Sequence, residues 1–595
     1  MKKLRKILAT VLVISMVFSL AACSKNPKKI TGDGKTTTQD TTVEGEKTVS
    51  AEAEIDRSKT ITLDWFSESA NYQGIQGGWF GKIIKDKFNI ELNIIAPNVA
   101  GGGDALYQTR SAEGNLGDII AISKSKMKDC IEAGIILDMT DLYNNSENLK
   151  KFDVSVQSLK NFLATDKVFT IGTNISPETP LTPTFDSNAP NVASFMRLDL
   201  YNQLGNPEMK TSADMLQVLK QMQELNPTAE NGKKTYAFSL FSDWDGSYMT
   251  LASKFAFMYG YEEGKTSFCF VNPDATSYQH VAQEDGVYYN ALKLLYDANQ
   301  LGLVDPDSSS QNWDTVYTKM AEGQTLFSFW PWLAGAYNTI ENNQAGKGMC
   351  YIPVDDQIMV SQGHDIYGTA AIGIGSKTKY PERVFEFIDW MASSEFVYYT
   401  EQSNAGIKGV TWDIVDGRPT LTELGKTLNN DKNAVFDQEY GGGTLKDGQN
   451  KSNISIIFPI AKDPETGESY NITSWTSVIE DRQSRFDEMY LKTFDAQNAA
   501  DYLLKNNLVT VAPGADWTAK LEDSELSIKR TQCSDVILQS SWKLIFAKDE
   551  AEFNSIWENM NSQLVGFGYE DLLAFDVTNV ESLREARTKA IADAQ

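Results

Sequence analysis

Apolar and polar residues alternate at Ile61, Leu63 and Trp65, which predicts a strand. After a glycine-rich loop, Trp79, Phe80, Ile83 and Ile84 recur at helical spacing. Phe88, Ile90, Leu92 and Ile94 then alternate again as a second strand. A helix follows through ALYQTRSAEG and stops at Gly114, where glycine suits a left-handed cap. Asp118 leads into Ile119-Ile120-Ala121-Ile122, a short strand buried on both faces. Strand, helix, strand, helix, strand is the rhythm of a parallel sheet covered by helices.

A second unit starts near residue 190. Thr211-Ser212-Ala213-Asp214 reads as a capping box. Behind it Met215, Val218, Leu219, Met222 and Leu225 share one helix face, and Pro227 ends the helix. Residues 314–321 read as a helix closed by Gly323, and Thr325 to Trp330 as a strand. Tyr380-Pro381-Glu382 opens another helix with proline in its first turn. Its core face is Val384, Phe385, Ile388 and Met391. Asp416-Gly417 and the segment Asp463–Gly467 are turn signals. Phe553, Ile556, Trp557, Met560 and Leu564 mark a C-terminal helix. There is no short internal repeat.

The N-terminus has a different character. Lys2, Lys3, Arg5 and Lys6 precede an apolar run from about Ile7 to Leu20, too short for a comfortable membrane span. Leu20-Ala21-Ala22-Cys23 resembles a bacterial lipobox, in which the cysteine is acylated and becomes the mature N-terminus. Residues 1–22 are therefore expected to be a lipoprotein signal peptide. Residues 23–57 are then a lipidated tether, too poor in large apolar side chains to fold. The expected location is the outer face of the cell membrane of a Gram-positive bacterium.

The chain has 595 residues, more than one core accommodates, so at least two lobes are expected. Its net charge of −26 excludes nucleic-acid binding and leaves the lipid as the only route to the membrane. Beyond Cys23, the residues Cys130, Cys269, Cys350 and Cys533 are far apart and show no CxxC spacing, so zinc is not expected. They read as buried small apolar residues, although an extracellular location leaves room for one or two disulfides. His280 and His364 are the only histidines, which leaves few general bases and no His-rich metal site. No G-x-S-x-G elbow, HExxH, phosphate loop or Ser/His/Asp set stands out, and no catalytic residue is assigned.

Several segments together resemble one known family over almost the whole body. They are GNLGDIIAI (114–122), FMRLDLYNQLGNPEMKTSADMLQVLKQMQELNP (195–227), MAEGQTLFSFWPW (320–332) and SKTKYPERVFEFIDWMAS (376–393). In this order, behind a lipobox, they resemble the family 1 extracellular solute-binding proteins of ABC importers. The nearest resemblance is to LipO-type lipoproteins, whose relatives bind alginate, aldouronate and rhamnogalacturonan fragments. The resemblance implies a type II periplasmic-binding-protein fold of class α/β, with two discontinuous lobes and a ligand cleft at a hinge. Lobe 1 would be 58–183 with about 371–470, and lobe 2 would be 184–370 with about 471–595. It implies a monomer that hands an oligosaccharide to two permease subunits and a cytoplasmic ATPase. Alternatives are a surface glycoside hydrolase, or a peptide or sugar receptor without transport. Many LipO-type proteins also carry a calcium loop. The matching stretch 226–233 begins with Asn226 rather than aspartate and has one residue inserted before Gly232, leaving Thr228, Glu230 and Asn231 as donors. No cofactor is expected, with calcium left open.

A sugar cleft needs flat aromatic platforms and hydrogen-bonding groups for hydroxyls. Trp330 sits where the resemblance places a stacking tryptophan, with Trp332 two residues on. Replacing Trp330 by alanine is expected to weaken sugar binding without unfolding the protein. Trp65 and the loop after it, with Asn71, Tyr72 and Gln73, follow the first strand, where open α/β sheets form their crevice. Asp243, Trp244, Asp245 and Tyr248 lie in the polar–aromatic loop FSDWDGSY. Asp118 and Arg197 complete the candidates, Asp118 having a turn-acceptor alternative. Arg197 and Asp199 are equally well read as an internal ion pair near the hinge. Trp412 is read as a packed loop anchor.

Overall fold

The computed structural model describes residues 55–594, other than 98, 100–102, 186–187 and 482. The signal peptide, Cys23 and most of the expected tether lie outside the described residues. The chain divides into two units, 1–47 and 48–595, and all described residues belong to the second.

The first sheet follows the α/β rhythm of the sequence. Strand Ile61–Ser67 pairs in parallel with Ile90–Ile95 on one side and Ile119–Ile122 on the other. The sheet continues through Ala370–Ile374, antiparallel, to Thr170–Thr173. Alternate side chains point to opposite faces of a strand, and this sheet is covered on both. Leu63, Trp65, Ile119 and Ala121 enter one core, while Phe66, Ile120 and Ile122 enter another. Helices Gly78–Phe88 and Pro381–Met391 supply Trp79, Phe80, Phe387 and Trp390 to the first of these cores. Gly114 takes the left-handed conformation expected of a cap, with φ 66°.

The second body has a larger core built mostly from helices. A three-stranded antiparallel sheet places Phe195–Arg197 between Phe327–Ser328 and Met349–Tyr351. Helix Ser212–Leu225 starts at the expected capping box. Asp214 N–H donates to Thr211 Oγ1 at 3.2 Å, and Thr211 N–H donates to Asp214 Oδ2 at 2.9 Å. Helices Ser524–Ile545, Glu550–Gly566 and Tyr569–Ala594 pack onto the same body, burying Phe553, Trp557, Met560 and Leu564 in its core.

Three chain segments run side by side between the two bodies. Ser176 N–H, after strand Thr170–Thr173, donates to Asp365 O at 2.8 Å, before strand Ala370–Ile374. Ile175 N–H donates to Ile456 O at 2.7 Å, which adds the third segment.

Three sequence expectations shift. Phe88 ends a helix rather than opening a strand, because Asn89 turns left-handed (φ 52°) between them. Leu225 is 48% exposed, since it falls in the last turn, beyond the packed stretch. Of the expected strand 325–330, Phe327–Ser328 pairs as a strand and Thr325 makes one bridge to Tyr236, while Trp330, though extended, caps the short helix that Pro331 starts. The four body cysteines are buried as small apolar residues, with no disulfide among the described residues.

Candidate functional site

The loop after Phe241 is braced by its own acids. Asp243 Oδ2 accepts the backbone N–H of Trp313 at 2.7 Å. Asp245 accepts Thr250 N–H at 3.0 Å and the indole N–H of Trp542 at 2.9 Å. Burial of the Asp245 carboxyl pushes its pKa above the usual aspartate value, against the pull of these two donors. With both acids engaged, the loop holds Trp244 outward, 42% exposed.

Four indoles meet at this surface. Trp244 stacks on Trp313 at 4.8 Å between centroids and 26°, and Trp330 stacks on Trp332 at 5.1 Å and 24°. The two pairs interlock, with Trp244 edge-on to Trp330 at 5.7 Å and Trp313 tilted against Trp332 at 5.1 Å. Trp332 is 39% exposed, whereas Trp330 is 6% exposed. Trp244 and Trp332 thus offer indole surface to solvent, with Trp313 and Trp330 behind them. The sequence reading missed Trp313. It stands at the first position of helix Trp313–Ala321, capped by Asn312 Oδ1 accepting Thr315 N–H at 3.0 Å. An Asn-Trp start to a polar-faced helix was the available signal.

The other candidates, Asn71 apart, are engaged in contacts within the fold. Trp65 is fully buried, edge-on to Phe387 at 5.7 Å, because its position in the strand faces the helix-covered core. Tyr248 is buried against Phe270 and Tyr288, one turn of chain below the exposed loop. Asp118 Oδ2 accepts Asp64 N–H at 2.8 Å, the turn-acceptor role. It precedes its strand, so it sits at the sheet edge opposite to the crevice. Arg197 is spent on a bidentate pair with Asp199 at 2.8 and 2.7 Å and lies over the Tyr337 ring at 4.4 Å. Gln73 Oε1 accepts Ala96 N–H at 2.8 Å, and the Tyr72 hydroxyl donates to Ile75 O at 2.8 Å. Asn71 is exposed. Trp412 is the packed anchor expected, 4.2 Å from Tyr398.

A cavity of about 670 Å³ opens at the edge of the first sheet where its parallel strands end. Lys124 and Asn174, each just past a strand, line it together with Gln362, Asp365, Trp517 and Arg587. Arg587 belongs to the C-terminal helix and pairs with Glu262, both only 1% exposed. None of the cavity's residues was a sequence candidate, because they come from seven separate stretches of chain.

A Ser–His–Glu arrangement also appears that the sequence did not suggest. Ser176 Oγ lies 2.5 Å from His364 Nδ1, and His364 Nε2 lies 2.7 Å from a Glu178 oxygen. Ser176 is 1% exposed and His364 3%, and Ser176 Oγ accepts Glu178 N–H at 3.2 Å. A nucleophile needs access to substrate, so this set clasps crossing segments together.

The residues of the calcium-loop stretch do not fit a calcium ion. Glu230 is paired with Lys347, and Asn231 donates to Glu322 at 2.8 Å. Among the described residues, no three or more His, Cys, Asp or Glu cluster to hold a metal. A site needing several anionic oxygens is thus left with one carboxylate already neutralised by lysine.

The sequence signature of the bacterial extracellular solute-binding proteins matches residues 73–397, more than half of the chain. The chain belongs to this family. The fold of this solute-binding protein is the two-lobed type II arrangement. It is similar to the alginate-binding protein AlgQ2 solved without calcium, at TM-score 0.57 and 14% identity over 89% of this chain and 98% of that one. It is similar to the Streptococcus pneumoniae ABC-transporter substrate-binding protein FusA in complex with kestose, at TM-score 0.55 and 13% identity, over 89% of this chain and 100% of that one. A third likeness is an HMO-binding, ABC-transporter-associated solute-binding protein from Bifidobacterium longum infantis, at TM-score 0.54 and 14% identity, over 89% and 98%. No curated protein matches the chain. No helix among the described residues is long and apolar enough to cross a membrane.

Proposed function

We propose that this solute-binding protein captures an oligosaccharide outside the cell and passes it to an ABC importer. The observation that carries this reading is the cluster of Trp244, Trp313, Trp330 and Trp332, with two indoles exposed. A pyranose presents an apolar C–H face, and exposed indole planes match it. The names of its structural neighbours, which bind alginate, kestose and HMO, support the same ligand class. The chain acts without catalysing a reaction. It is a monomer anchored through an acylated Cys23, on the outer face of a Gram-positive membrane. Its partners are two permease subunits and a cytoplasmic ATPase. Lobe 1 spans 58–183 with about 371–470, and lobe 2 spans 184–370 with about 471–595. Ligand contacts to both lobes favour closure.

The test is a thermal-shift and calorimetry screen of the purified protein against oligosaccharides, with peptides as controls. A ligand of the folded state raises the melting temperature. Saccharide hits recovered intact support the reading. A hit that is hydrolysed, or binding by peptides alone, overturns it.

A further inference from the structure

Lys124 is 8% exposed and lines the 670 Å³ cavity. Among the described residues, no carboxylate or carbonyl is hydrogen-bonded to its ammonium. Two acids act on it through space, and each has one carboxylate oxygen engaged by other donors. Asp365 Oδ1 accepts the backbone N–H groups of Tyr367 and Gly368 at 2.7 and 3.0 Å. Asp516 accepts the Ser158 hydroxyl at 2.5 Å. Both attract Lys124 through space, but burial dominates and pulls its pKa below the usual lysine value. A buried ammonium with no acceptor is costly unless something supplies one. This one faces a cavity large enough for sugar rings.

The rest of the wall suits such a guest. Trp517 provides a ring, fixed by its indole N–H donating to Ser582 Oγ at 2.9 Å. Asn174 and Gln362 provide amides. Arg587 is balanced by Glu262 and donates to Pro273 O at 2.9 Å, yet its Nε–H has no partner among the described residues. Among the described residues lining the cavity, the charged groups are Arg587, balanced by Glu262, the Asp365 carboxylate, held by a turn, and Lys124, whose ammonium makes no hydrogen bond.

Resting on the sugar-capture reading, we infer that the cavity receives a carboxylate-bearing sugar unit, with Lys124 as its counter-ion. A carboxylate accepts charge-assisted hydrogen bonds from an ammonium more strongly than a hydroxyl does.

The test compares trigalacturonate and trimannuronate with neutral trisaccharides of galactose and mannose by calorimetry. At low salt at least one uronate should bind about tenfold tighter or better than its neutral counterpart, with the margin shrinking as salt rises. Lys124→Met should erase that margin, and Lys124→Arg should restore part of it. Because Lys124→Met removes a buried charge whose burial outweighs the attraction of Asp365 and Asp516, the ligand-free variant should melt no lower than the parent protein. A lower melting point would mark a structural lysine and overturn the inference. Equal affinity for neutral and acidic trisaccharides, or unchanged uronate binding by Lys124→Met, also overturns it while leaving sugar capture standing. Failure of every saccharide overturns the sugar reading itself, and this inference with it.

Discussion

His364 and Glu178 sit on different crossing segments, with His364 Nε2 2.7 Å from a Glu178 carboxylate oxygen. The geometry suits a neutral ring, which donates from Nε2 to Glu178 and accepts at Nδ1 from the Ser176 hydroxyl. Burial depresses the His364 pKa. Glu178 pulls it up, and Lys462, 3.9 Å from Glu178, pushes it down. The folded protein therefore binds the proton less readily than the unfolded chain, whose histidine titrates near ~6.5. Stability from this clasp is complete above about pH 6.5 and is lost as pH falls towards the depressed folded value. Urea melts at mildly alkaline and mildly acidic pH should show this loss. His364→Gln should flatten that dependence, at a cost of about 1–3 kcal/mol for the buried bonds it breaks.

The indole cluster separates binding from folding. Trp244→Ala and Trp332→Ala remove half-exposed rings. Each should lower sugar affinity about tenfold, equivalent to ~1.4 kcal/mol, with little change in melting temperature. Trp330 is 6% exposed, so its removal opens a cavity in the core. Trp330→Ala should cost about 3–5 kcal/mol of stability, in addition to the weakened sugar binding expected of it. Calorimetry and denaturant melts on the three variants check both halves.

The Arg197–Asp199 pair is structural. Its side chains are 6% and 12% exposed. Arg197→Met should destabilise the protein by about 3–5 kcal/mol, because it strands a buried carboxylate. Sugar affinity of the folded variant should stay at the parent value.

The melting temperature should be the same in excess calcium and in chelator, since Lys347 already occupies Glu230. A rise with calcium would show that the pair opens to admit the ion.

The parts of the fold set by local pattern were legible in the sequence. Thr211 and Asp214 announce their capping box within four residues. Alternation at Ile61, Leu63 and Trp65 marks the strand, although it does not say that Trp65 faces a helix-covered core. The exposed platform was half legible. Trp244 sits among polar loop residues and Trp332 follows a proline, whereas Trp313 is disguised as a helix start. Lys124 could not be read at all. In KSKMKDC it looks like any lysine on a helix, and its burial at a cavity wall depends on residues far along the chain, Gln362, Trp517 and Arg587 among them. The His364 clasp was hidden for the same reason: its three members meet only when distant segments cross.

The strand Ala370–Ile374 lies inside the first sheet, pairing with Ile119–Ile122 on one side and Thr170–Thr173 on the other. A chain emerging N-terminus first must therefore hold both of those strands with an open edge until the part of the second body that lies between residues 173 and 370 has followed. Closing so long a loop is slow, and unpaired apolar strand edges invite association in the interval. The time between the appearance of residue 173 and residue 374 is thus a window of aggregation risk. A helper that shields strand edges would act in that window, before the sheet is closed.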